Sequence, residues 1–99
     1  MTDNYNDKRF EEINKLRISI DNFDSALIHL LAERYRVTRQ VGIIKKENDL
    51  PPSSPNREAE QAKRWRSLAE QSGLDPDFAE RLLNFSVSDV IQNHKELRK

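Results

Sequence analysis

The stretch from Lys8 to Leu50, KRFEEINKLRISIDNFDSALIHLLAERYRVTRQVGIIKKENDL, contains no proline and a single glycine, Gly42. Along it, apolar residues recur at Ile13, Leu16, Ile20, Phe23, Leu27, Leu30, Leu31, Val37, Val41 and Ile44, at steps dominated by threes and fours. That spacing follows the 3.6-residue turn of an α-helix, so the stretch is predicted to form one uninterrupted helix. A helix of about 40 residues is about 60 Å long. A compact globule of about 100 residues has a radius of gyration of only about 13 Å. Part of the apolar stripe must therefore be covered by something beyond the rest of its own chain. The expected solution is an intertwined homodimer.

Working outward, Pro51, Pro52, Ser53 and Ser54 interrupt the helical pattern. Ser54 as N-cap and Pro55 at the first helical position open a second helix, which runs to Ser72 with Gly73 as its left-handed terminator. Asp75-Pro76 repeats the cap-then-proline start. The third helix carries Phe78, Leu82, Leu83, Phe85, Val87, Val90 and Ile91 and ends near the C-terminus. The expected class is all-α, with three helices per protomer and one very long N-terminal helix. Residues 1–99 are expected to form one domain, with 1–7 a disordered tail.

Composition narrows the function classes. Ninety-nine residues leave room for a single hydrophobic core. Charged residues at 34% and hydrophobic ones at 35% are too polar for a membrane protein and too apolar for a disordered chain. Seventeen Lys and Arg balance seventeen Asp and Glu, so no global field favours nucleic acid and any basic site must be local. The absence of cysteine excludes disulfides, a Cys nucleophile and thiolate metal sites. The N-terminus lacks a signal-peptide profile, and no apolar run approaches the ~20 residues that span a bilayer. The expectation is a cytoplasmic protein with neither nucleic acid nor membrane as partner.

Charge then interrupts the apolar stripe at informative places. One line down the first helix reads Ile20, Asp24, Leu27, Leu31, Arg34, Thr38, Val41, Lys45. Arg34 and Lys45, eleven residues apart, return to nearly the same face at about 100° per residue. Cations on a buried line need partners. Asp24 could serve only one, which points to a small anionic ligand, with solvated surface cations as the alternative. Arg57 and Glu58 fall near the start of the second helix, where backbone N–H groups and the helix dipole favour anions; taken alone, the two read as a surface pair. His29 and His94 are the only histidines and lack the companions a zinc site requires, so no metal is expected. Taken alone, His94 reads as a surface histidine near the end of the third helix. Trp65 reads as packing.

The ordered set Leu16-Arg17, Ile20-Asp21, Asp24, Leu30-Leu31-Ala32-Glu33-Arg34, Val41-Gly42, Lys45, Leu50-Pro51 and Arg57-Glu58 resembles the helical, AroQ-type chorismate mutases. The likeness covers the chain from about Ile13 to the end of the third helix. It implies an intertwined dimer of three-helix protomers that rearranges chorismate to prephenate in aromatic amino acid biosynthesis, with no cofactor. It further implies that Arg34 and Arg57, with Arg17 from the other protomer, bind the substrate's two carboxylates. Lys45 would donate to the ether oxygen, and Glu58 would hold the ring hydroxyl, assisted by the backbone near Ser54. Arg17 lies about 260° round the helix from Arg34, so the two cannot share a face within one protomer.

Three positions depart from the family pattern. Ser54 stands where an aspartate is common, and Val90 replaces a serine that helps bind a carboxylate. His94 replaces the glutamine that joins the lysine at the ether oxygen. Histidine donates either through a neutral N–H or as imidazolium, and the charged form stabilises developing negative charge better, so activity is expected to rise on acidification. Two kinds of alternative stay open. One is an isochorismate pyruvate lyase or aminodeoxychorismate mutase on the same scaffold; the other is a helical dimer that binds ligands without catalysis.

Overall fold

A computed structural model describes residues 8–99; the tail expected over 1–7 lies outside the described residues. Three helices follow in order: α1 (Lys8–Glu47), α2 (Pro55–Ser72) and α3 (Pro76–Glu96). Among the described residues there is no strand. The all-α expectation and the single long first helix therefore hold.

Each boundary has a local cause. α1 stops short of Pro51 because Asp49 turns left-handed at φ 53°, and the Leu50 N–H reaches back to the Lys45 carbonyl at 2.8 Å. The Asn48 side chain satisfies the Ile44 carbonyl at 2.8 Å. α2 ends at Gly73, whose φ of 80° suits a residue without Cβ, while the Leu74 N–H bonds to the Ala69 carbonyl at 2.8 Å. Asp75 then caps α3, its carboxylate accepting from the Asp77 N–H at 3.0 Å ahead of Pro76.

The chain divides into two compact units, one reaching Arg34 and one from Tyr35 to Lys99. Among the described residues the first unit consists of α1 alone. Its apolar side chains stand exposed: Leu16 at 65%, Phe23 at 72% and Leu30 at 67%. The second unit contains the end of α1 with α2 and α3. Its core lies where α2 and α3 pack, with Leu83 1% exposed and Ala69 and Ala79 buried as well.

Arg66 of α2 fastens the same pair of helices from outside. Its guanidinium donates to Asp77 at 2.9 Å and to Glu80 at 3.2 Å. The hydrogen bond to Asp77 is the main cause that raises the Arg66 pKa above its ordinary value. A raised basic pKa contributes stability below the unfolded value that is lost only as pH climbs through the folded one, so this contribution is constant near neutrality. Exposure of the pair to solvent keeps it small. No helix among the described residues is long and apolar enough to cross a membrane.

Candidate active site

Lys45 occupies the last turn of α1, where the negative end of the helix dipole favours a cation. The connection to α2 folds back under it. Lys45 Nζ donates to the Pro52 carbonyl at 3.3 Å and to Ser54 Oγ at 3.1 Å. Ser54 does precede α2, as expected, but its hydroxyl makes no capping hydrogen bond to the helix; it is turned to the lysine instead. Its carbonyl accepts from the Glu58 N–H at 3.0 Å, closing the first turn. Pro55 has no N–H to satisfy, so the start of α2 presents its remaining donors beside an ammonium group, an arrangement suited to an anion. Arg57 is exposed here and Glu58 half-buried.

The second part of the site is His94. Its reading in isolation as a surface residue is corrected by the structure: His94 is 3% exposed. The reason is its position. It lies in the last turn of α3 that packs on α1, where Nε2 stands 2.9 Å from the Thr38 carbonyl oxygen. A carbonyl only accepts, so Nε2 carries the proton, using the lone pair that the helix's own hydrogen bond leaves on that oxygen. Nδ1 is buried and, among the described residues, makes no hydrogen bond.

Half-buried Val90 lies one turn before His94 on α3. Both line a cavity of about 260 Å³, with Tyr35, Thr38 and Arg39 from α1 and Asn93 from α3. Val90 offers only methyl groups to it. Arg17 and Arg34 belong to the other compact unit, where Arg17 is exposed and Arg34 half-buried. The structure thus joins Lys45 to Ser54, and Val90 to His94. Thr38 carries no sequence signal for its role, since it acts through its backbone oxygen; only its place on the Arg34–Lys45 stripe marks it. His29 bonds locally, through Nδ1 and the Ser25 carbonyl at 2.7 Å. No group of residues fit to hold a metal ion occurs among the described residues.

Three helices that bring Lys45 against Ser54 ahead of α2, and seat His94 of α3 on the Thr38 carbonyl of α1, define an all-helical fold with a cation held beside a helix N-terminus. The chain is a member of the chorismate mutase type II family, which it matches over residues 16–95. It is 40% identical to a T-protein of Enterobacter agglomerans over 73% of its own length, and 33% identical to a T-protein of Haemophilus influenzae over 87%. A chorismate mutase of Methanocaldococcus jannaschii is 27% identical, the match covering 90% of this chain and 86% of that protein. The chain spans 19% and 23% of the two T-proteins.

Proposed function

We propose that this protein is a chorismate mutase, isomerising chorismate to prephenate in the branch toward phenylalanine and tyrosine. In this Claisen rearrangement one C–O bond breaks as one C–C bond forms within a single molecule. No protein group need act as nucleophile or base. What the site must supply is a compact substrate conformer and fixed donors for the negative charge that develops on the ether oxygen. The observation that carries the reading is the placement of Lys45 Nζ against Ser54 and Pro52, a cation held in position beside the start of α2.

Lys45 is the donor to the ether oxygen, supported by His94. Arg34 and Arg57 clamp the carboxylates, Arg17 completes the clamp from a second protomer, and Glu58 receives the ring hydroxyl near Ser54. Val90 lines the carboxylate region without donating to it. A second copy of the chain is the natural cover for the exposed Leu16, Phe23, Leu27 and Leu30, which no monomer leaves bare at small cost. The reaction proceeds in the cytoplasm and takes no cofactor.

Product analysis tests this reading. Incubation with chorismate should yield prephenate, and incubation with isochorismate should leave that compound intact. Salicylate and pyruvate from isochorismate would replace the mutase by a lyase on the same scaffold. Turnover of neither compound, with aminodeoxychorismate also left intact, would replace it by a binding protein; turnover of aminodeoxychorismate alone would replace it by an aminodeoxychorismate mutase.

A further inference from the structure

We propose that Arg98 is a positioning residue for Lys45: it straps the connection between α1 and α2 to the end of α3, and so holds the backbone oxygen against which the lysine's ammonium group rests. The catalytic consequence rests on the chorismate mutase reading; the strap itself does not.

Beyond Glu96 the backbone stays bonded. The Arg98 N–H donates to the Lys95 carbonyl at 3.1 Å and the Lys99 N–H to the Glu96 carbonyl at 3.3 Å, so residue 98 has a defined place. Its approach to α1 has a local cause. A Cβ built on Gly42 would lie 2.5 Å from His94 Cδ2 and 3.0 Å from Leu97 Cδ1, so the end of α3 rests on helix backbone that no side chain covers. Glycine weakens a helix relative to alanine, and this close approach is what it permits. From that contact Arg98, next after Leu97, reaches the connection: its guanidinium donates to the Leu50 carbonyl oxygen.

Leu50 is thereby held at both of its backbone polar groups. Its N–H donates to the Lys45 carbonyl at 2.8 Å, and its carbonyl accepts from Arg98. Asp49, immediately before it, is left-handed at φ 53°, a conformation that persists in a residue with a Cβ where the surrounding bonds impose it. Pro51 and Pro52 come next. Each proline ring fixes its own φ at about −65°, and a residue ahead of a proline is confined to extended conformations. Leu50 and Pro51 both precede proline. The step from the Leu50 carbonyl to the Pro52 carbonyl is therefore stiff, and fixing one end fixes the other. The Pro52 oxygen accepts from Lys45 Nζ at 3.3 Å, and Ser54 Oγ accepts from it at 3.1 Å. Arg98 thus acts on the ammonium group through a short, rigid length of backbone.

Amide hydrogen exchange of the full-length protein without substrate tests the strap. In Arg98→Ala the Leu50 N–H should exchange about fivefold faster than in the wild type, the scale of one net hydrogen bond. The Leu74 N–H, which makes the matching bond to the Ala69 carbonyl at the end of α2, should keep its rate. An unchanged Leu50 amide, or equal acceleration of both, would overturn the proposal. Steady-state kinetics on chorismate test the consequence. Arg98→Ala should lower kcat by about three- to tenfold with KM little altered, because a loosened lysine is missed most where charge develops. Arg98→Lys still offers a charged donor to a single carbonyl and should recover most of the lost kcat. A loss confined to KM, or a lysine variant no better than alanine, would remove the positioning role. A wild type that leaves chorismate intact while the Leu50 amide responds to Arg98→Ala would sink the assigned reaction, not the strap.

Discussion

Lys45 Nζ stands 3.1 Å from Ser54 Oγ, so the last turn of α1 is tied to the residue from which α2 begins. This bond fixes the reach of a long, flexible side chain before any ligand arrives, and preorganised charge is what a pericyclic reaction can use.

Lys45→Ala removes that charge from the place where the ether oxygen is proposed to sit. The loss of one fixed donor to a developing oxyanion typically lowers kcat by about 100- to 1,000-fold. The variant should retain wild-type helicity by circular dichroism. Unchanged kcat would remove Lys45 from the mechanism.

Val90 lines the cavity beside His94 with hydrocarbon, where the proposed site would place a substrate carboxylate. Val90→Ser should add a hydrogen bond to a charged acceptor, worth about 1.5 to 3 kcal/mol. Steady-state kinetics should show KM for chorismate falling by about tenfold or more, with kcat little altered. An unchanged KM would place Val90 away from the bound substrate.

The helices were legible in the sequence because each is punctuated by residues with a single strong local meaning. Pro55, Gly73 and the Asp75-Pro76 pair mark starts and stops that the structure repeats. The end of α1 was less legible, because Asp49 adopts a left-handed conformation usual for glycine or asparagine, and nothing nearby announces it. Lys45 was marked by its place on an apolar stripe. Its partners were not, since Pro52 contributes a backbone oxygen and Ser54 was expected to use its hydroxyl on the helix. The burial of His94 was illegible for a similar reason: it depends on an absent side chain at Gly42, fifty-two positions away, and on a carbonyl that any residue at 38 would supply.

Leu83 is the most deeply buried side chain of the α2–α3 core, at 1% exposure. Leu83→Ala should leave a cavity between the helices and destabilise the protein by about 2 to 5 kcal/mol. Urea unfolding at fixed protein concentration measures this, a control that matters if protomers associate. A loss under about 1 kcal/mol would mean that the helices collapse onto the gap.

Complementation between inactive variants tests most directly whether one site is built from two chains. Arg17→Ala and Lys45→Ala should each be nearly inactive alone. Unfolded together and refolded in equal amounts, they should regain about a quarter of wild-type turnover of chorismate, because half the dimers are mixed and each mixed dimer has one intact site of two. Activity no higher than the average of the two separate variants would contradict the shared site.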